Sequence, residues 1–232
     1  MIRATFIYFF TGVYILALAP PAMLWTLITK DTRLLYILAR FCIRVVGLLG
    51  GIRVSVHGRE KILPGETYLF LSNHQGNADG PILSHATPRD LRALIKSEIM
   101  KIPVLSLVFK QVQFVAIERS NPTDARKGID FGARLLSEGK SFFAFPEGTR
   151  SRDGLLGEFK KGVFVMAIKA QAAVVPVTIV GSAAIQPPGK YTISPGRVRV
   201  VFHEPIETKG MDLADRNRLV ELTRNAIASE LN

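Results

Sequence analysis

The run N-H-Q-G-N-A-D, residues 73–79, sets an imidazole, His74, and a carboxylate, Asp79, five residues apart among small and amide side chains. Histidine exchanges its proton near neutral pH, and a carboxylate beside it fixes the tautomer and steadies the imidazolium that forms. On a regular helix the two side chains would point about 140° apart, so pairing them requires a loop that leads into a helix. Such a base needs something to deprotonate. There is no G-x-S-x-G elbow, and the single cysteine, Cys42, lies in a distant apolar stretch, so the nucleophile belongs to the substrate. Direct attack of a substrate hydroxyl on an activated acyl group meets that requirement. The plainer alternative is a histidine that only hydrogen-bonds within a turn. Metal ligation by His74, Asp79 and His85 has no H-E-x-x-H or Cys/His spacing behind it, so no metal or other cofactor is expected.

A second cluster is F-A-F-P-E-G-T-R-S-R, residues 143–152. Gly148, Thr149 and Ser151 can turn amides and hydroxyls toward phosphate oxygens, and Arg150 can add a bidentate charged contact. A carboxylate facing a phosphate would repel it, so Glu147 is expected to orient Arg150, a backbone amide or a glycerol hydroxyl. The bland reading is a solvated polar turn. Arg119 ends F-V-A-I-E-R, residues 114–119, and Lys96 follows another apolar run in the same way; the two could converge on one anion, or each could be a solvated strand-end cation. The run V-V-P-V-T-I-V-G-S, residues 174–182, is apolar, and Pro176 within it suggests a sheet edge or a bulge.

Positioning these residues calls for strands that end in loops. Seven short β-type runs fit, at 52–57, 68–72, 91–95, 114–117, 141–145, 174–180 and 198–202, most of them continuous apolar runs of the kind buried on both faces. Helices are expected between them. Asn121 can cap one whose first position is Pro122 and which stops near Gly139, another covers 162–170, and the last covers 213–231. The pattern is α/β: a mixed, largely buried sheet flanked by helices, with an apolar helical anchor in front. The division falls at about residue 50, giving an N-terminal membrane-anchoring segment, 1–50, and an α/β domain, 51–232. In such sheets ligands bind beyond the carboxyl ends of strands, where both clusters lie.

No charged residue occurs from Ala4 through Thr29, a length sufficient to cross a bilayer as a helix. Pro20-Pro21 would break or kink that helix, so a spanning helix and a re-entrant hairpin are equal contenders. Ala17-Leu18-Ala19 imitates a signal-peptidase site, but the proline that follows should obstruct cleavage. The next stretch, 31–51, reads as an amphipathic helix with Arg40 and Arg44 on one face, able to sit among anionic headgroups while Leu35, Leu38, Ile43 and Val46 turn to lipid or to the domain. The chain holds 30 Lys and Arg against 19 Asp and Glu, a net charge of +11, which favours anionic partners. It has no nucleic-acid motif with interleaved aromatics, so acidic lipid and phosphorylated substrates remain.

Taken in order, N-H-Q-G-N-A-D, F-V-A-I-E-R, F-P-E-G-T-R-S-R and V-V-P-V-T-I-V-G resemble the four sequence blocks of the glycerolipid acyltransferases, specifically the 1-acyl-glycerol-3-phosphate acyltransferases. Four ordered motifs together are far more specific than one. The resemblance implies that His74 is the general base and Asp79 its partner, and that Arg119, Glu147, Gly148, Thr149 and Arg150 shape the phosphate-glycerol site, with Lys96 adding charge. It implies a lysophospholipid acceptor and an acyl-CoA or acyl-carrier-protein thioester as donor substrate; the surplus of cationic residues after the apolar anchor adds the expectation of a place at the inner (cytoplasmic) membrane with the catalytic domain on the cytoplasmic face. The second block departs from the family in having Gln113 where a glycine often precedes the strand, and Glu118 where aspartate is more usual. A membrane-anchored esterase would instead need a protein nucleophile, for which Ser72 is the nearby candidate. A non-enzymatic basic lipid-binding module would show no thioester turnover.

Overall fold

The structure, a computed structural model, describes residues 2–118 and 120–231. Seven strands form one sheet in the order β1-β7-β6-β2-β5-β3-β4. They are β1 (Ile52–His57), β2 (Tyr68–Ser72), β3 (Arg92–Lys96), β4 (Val115–Ile117), β5 (Phe142–Ala144), β6 (Ala173–Val180) and β7 (Gly196–Phe202). Five neighbours, β6, β2, β5, β3 and β4, run parallel, while β7 pairs antiparallel with β6 and carries β1 parallel to itself. The sheet is therefore mixed, as expected, and all seven runs become strands.

Alternation along the central strands sends side chains into two cores. Leu69 and Leu71 of β2 and Phe142 and Ala144 of β5 pack on one face against α5 (Pro122–Ser137), α6 (Gly162–Ala170) and α8 (Arg216–Ala228). Tyr68, Phe70 and Phe143 point the other way, toward α3 (Asp79–Ala86) and the inner residues of β6 and β7. A strand buried on both faces cannot alternate polar with apolar, which is why β2 reads as the unbroken run Y-L-F-L-S. At α5 the Asn121 side chain accepts from Thr123 N (3.0 Å) and Asp124 N (3.3 Å), and Pro122 occupies the first turn. The final helix is shorter than expected, starting only at Arg216.

Pro176 lies inside the sheet, not at its edge, since β6 pairs with both β2 and β7. The bulge expectation fits better. Val174 pairs with Ile206 and Val177 with Phe202, so three steps on β6 answer four on the partner, and one extra residue lies opposite the proline. The Pro176 carbonyl accepts from His203 N (3.0 Å) at that irregularity. A residue without an N–H is tolerated there because the regular ladder is already interrupted.

The N-terminal segment forms α1 (Ile2–Thr29) and α2 (Arg33–Gly50), and α1 runs unbroken through Pro20-Pro21, against the expected break. Turns on both sides of the prolines are held from outside α1: Tyr14 OH donates to the Leu38 carbonyl of α2 (3.0 Å), and Thr26 Oγ1 donates to the Asp31 carbonyl (3.1 Å) in the link between the two helices. Tyr14 also stacks on Phe41, and Ala22 packs with Leu35, so rising numbers on α1 meet falling numbers on α2 and the pair is antiparallel. The hairpin reaches the α/β domain at several points. Tyr8 bonds Gln186 Nε2 (2.7 Å) near one end of α1, and Gln111 Nε2 donates to the Met23 carbonyl (3.3 Å) near the other. Arg40 also differs from expectation: it forms an ion pair with Asp90 (2.6 Å), docking α2 on the domain, while Arg44 stays exposed.

Candidate active site

The chain leaves β2 through Ser72 and Asn73, both buried. Asn73 stands in for a strand residue, its Nδ2 donating to the Ile179 carbonyl (2.8 Å) and its Oδ1 accepting from Ile179 N (2.8 Å), which pins the turn to β6. The turn is tight at Gly76, where a Cβ would lie 2.7 Å from the Ser182 carbonyl oxygen, so no larger residue fits without moving backbone. Asp79 then opens α3. Its Oδ2 accepts from Gln75 N (2.7 Å) and Gly76 N (2.8 Å) and lies 2.7 Å from His74 Nδ1. A loop leading into a helix thus closes the five-residue gap. With Asp79 accepting at Nδ1, Nε2 keeps its lone pair. The Asp79 side chain is fully buried and that of His74 is 20% exposed, so the imidazole opens outward while its partner does not. Phe145 stacks on the imidazole, with ring centroids 4.0 Å apart and planes 11° apart.

The second loop is fastened to the first by Glu147, whose Oε1 accepts from His74 N and Oε2 from Gly157 N, each at 2.8 Å. Ser151 N donates to the His74 carbonyl (2.7 Å), so both backbone groups of His74 are bound to this loop. Of the three roles weighed for Glu147, the geometry shows backbone amides. Burial pushes its carboxyl pKa up, opposed by the two amides and by the charges of His74 and Arg224. Gly148 turns the chain at φ +73°, a conformation that favours glycine, and its N–H donates to the Phe145 carbonyl (3.0 Å). Thr149 and Arg150 follow in exposed positions, and Arg150 Nη1 donates to Asn77 Oδ1.

Two hollows flank this pair of loops. One, about 370 Å³, is an apolar slot walled by Leu94, Ile95, Ile117, Ile129 and Val163, and it reaches Phe145 through Thr149. The ring that stacks on His74 therefore also lines the slot. The other, about 330 Å³, is polar and contains Asn77 and Arg150. Lys96 lines neither: it lies at the end of β3 beside Ile117 and pairs with Glu98 (2.6 Å). Arg119 lies outside the described residues. Its neighbour Glu118 accepts from Ser120 N, Ser120 Oγ and Ser97 Oγ, and these bonds, that from the Ser120 side chain foremost, hold its carboxyl at about 2. Ser72 is fully buried with its hydroxyl turned to Asn73, which withdraws the proposed esterase nucleophile from any substrate. His85 sits at the far end of α3 in the field of Arg44 and Arg59, away from His74.

The acyltransferase family model matches residues 53–180, more than half of the chain and all of both loops. This chain is a member of the acyltransferase family. It is 35% identical to the chloroplastic 1-acyl-sn-glycerol-3-phosphate acyltransferase of Arabidopsis thaliana over 163 residues, which cover 69% of this chain and 46% of that protein. The chloroplastic counterpart in Brassica napus is 35% identical over 182 residues, covering 78% and 51%. A bacterial counterpart, from Borreliella burgdorferi, is 27% identical over 199 residues, covering 86% and 80%. The chain spans about half the length of the plant relatives it matches. The crystal structure of the 1-acyl-sn-glycerophosphate acyltransferase PlsC from Thermotoga maritima superposes with a TM-score of 0.87 at 24% identity, covering 99% of this chain and 93% of that one, and so shares the fold.

Within this candidate site, sequence reasoning overlooked four residues. Phe145 stood in the quoted motif without a role, and its aromatic type next to a strand end was the available signal. The slot residues Ile129 and Val163 are 34 positions apart and look like ordinary core. Tyr8 reaches the polar hollow from a helix read only as an anchor.

Proposed function

We propose that this chain moves a fatty acyl group from a thioester to the sn-2 hydroxyl of 1-acyl-sn-glycerol 3-phosphate, yielding phosphatidic acid. The observation that carries the reading is the His74–Asp79 pair at 2.7 Å, opening outward between an apolar slot and a cationic hollow. His74 Nε2 takes the hydroxyl proton as the substrate oxygen bonds the thioester carbonyl carbon; the C–S bond breaks, and the leaving thiolate receives the proton from the imidazolium. Asp79 supports the transient positive charge. The slot suits an acyl chain, each buried methylene contributing about 0.8 kcal/mol. Arg150 faces the acceptor's phosphate. Either acyl-CoA or acyl-carrier protein can present the thioester.

The same reading places the enzyme on the cytoplasmic face of the inner membrane. Helix α1 is held by the domain near Tyr8 and again near Met23, about 22 Å apart along its axis, and so lies along the domain. Its other faces expose Phe6, Phe9, Leu16 and Trp25. A helix held in that way dips into one leaflet without crossing it. The net charge of +11 adds attraction to an anionic leaflet.

The test is transfer by the purified protein, supplied with acyl-CoA and acyl-carrier-protein donors and a panel of lysolipid acceptors, with product identified by mass. His74→Ala should lower kcat by roughly 10²–10⁴-fold with an unchanged melting temperature, the usual worth of a positioned base. A variant that transfers at the wild-type rate removes His74 from the mechanism.

A further inference from the structure

The polar hollow contains more than Arg150. Its walls are Tyr8, Asn77, Arg150, Gln186, Lys190 and Tyr191, drawn from the first helix, both motif loops and the segment that precedes β7. Asn77 is the hub. Its N–H donates to the Gln186 carbonyl (3.0 Å), its Nδ2 donates to the carbonyls of Pro187 and Lys190 (each 3.0 Å), and its Oδ1 accepts from Arg150. One side chain two residues before Asp79 thus fixes the 186–190 turn and orients Arg150 at the same time. The far wall is equally tied down, because Tyr8 bonds Gln186 and meets Tyr191 edge-on with ring centroids 6.4 Å apart.

The charge in this hollow is unbalanced. Arg150 bonds only the neutral Asn77, and Lys190 pairs with no carboxylate among the described residues. Two cations without counter-ions line one hollow, the Arg150 guanidinium placed by the Asn77 side chain and the Lys190 backbone fixed by the same residue, an arrangement that suits a doubly charged phosphomonoester.

We infer that Lys190 is a second headgroup-binding residue, acting with Arg150 to select acceptors that end in a phosphomonoester. The inference rests on the function proposed above and extends it to a segment, 186–191, outside the residues that the family model matches. Because Tyr8 of the exposed apolar helix closes the same hollow, the phosphate seat lies at the lipid-facing side of the domain, where a lysolipid's headgroup arrives.

The experiment measures equilibrium binding by the full-length protein in neutral detergent micelles, so that its result does not depend on turnover. The probes are 1-acyl-sn-glycerol 3-phosphate, 1-monoacylglycerol with the same chain, and inorganic phosphate. Lys190→Gln should weaken binding of the phosphorylated lipid by about tenfold and leave monoacylglycerol binding within twofold, and Lys190→Arg should restore most of the loss. Equal weakening for both lipids, retained affinity in Lys190→Gln, no binding of the phosphorylated lipid by the wild type, or inorganic phosphate bound as tightly as that lipid would each overturn the inference. Acyl transfer measured on the same samples separates the two ideas: selective binding without transfer sinks the reaction, whereas transfer with an indifferent Lys190 sinks only the selectivity.

Discussion

At His74 every polar group is committed except one. The backbone N–H goes to Glu147, the carbonyl to Ser151 and Nδ1 to Asp79, which leaves Nε2 available for substrate. Glu147 matters here because a 6%-exposed carboxylate holds two amides that would otherwise be buried without acceptors. In Glu147→Gln the new amide can accept from one of those N–H groups only, and the orphaned donor costs roughly 1–3 kcal/mol. The pH dependence has a definite sign. Burial raises the folded-state pKa of Glu147, so its contribution to stability is full below the unfolded value of 4.5 and declines as pH rises toward the raised value. Glutamine does not titrate. The melting-temperature deficit of Glu147→Gln should therefore narrow as pH rises above 4.5. A gap that is flat or widens with pH would show that Glu147 is not held above its ordinary range.

Among the elements, β4 carries a cost that the family pattern explains. Gln113, directly after α4 (Leu105–Gln111) and its cap, has φ +61°, in the left-handed region where a Cβ is crowded. That is the position where the sequence blocks often have glycine. Gln113→Gly should stabilise the fold by roughly 0.5–1 kcal/mol, the relief of strain less the added freedom of the unfolded chain, read as a higher urea midpoint. A lower midpoint would mean that the glutamine side chain makes a contact worth more than the strain. The central strands tolerate much less. Phe70, Phe142 and Leu71 are fully buried, and each truncation to alanine there combines lost transfer energy with a cavity.

For the whole molecule, the 28-residue apolar helix α1 gives the proposed membrane contact a geometry that can be measured. The single tryptophan, Trp25, lies near the end of α1, and Leu18 lies two turns earlier on the same face, both exposed. A spanning helix would bury position 18 about 10 Å deeper than position 25, whereas an in-plane helix keeps both at one depth. Brominated-lipid quenching of wild-type Trp25 and of Trp25→Phe combined with Leu18→Trp measures this directly. Equal, shallow quenching is expected. Deep quenching at position 18 alone would show that the helix crosses the bilayer and that its contacts with Gln186 and Gln111 are released there.

The strand segments along the chain and the residues at their ends were legible from local pattern alone, because a doubly buried strand must be apolar throughout and a turn beside it must be small, whereas the order of the strands in the sheet was not. His74, Asp79 and the P-E-G-T-R loop could be read for the same reason: their chemistry is written in residue types over short spans. Partnership across the fold could not be read that way. Glu147 meets His74 across 73 positions and Tyr8 meets Gln186 across 178, and separations of that length leave no periodic trace. The two prolines misled for a related reason. Proline states a local penalty, but whether a helix breaks depends on what grips it on either side, and here Leu38 of α2 grips one turn and Asp31 of the interhelical link the other. Local sequence thus determined which atoms could react, and tertiary packing decided which of them meet, which cations stay unpaired and how the first helix lies against the rest.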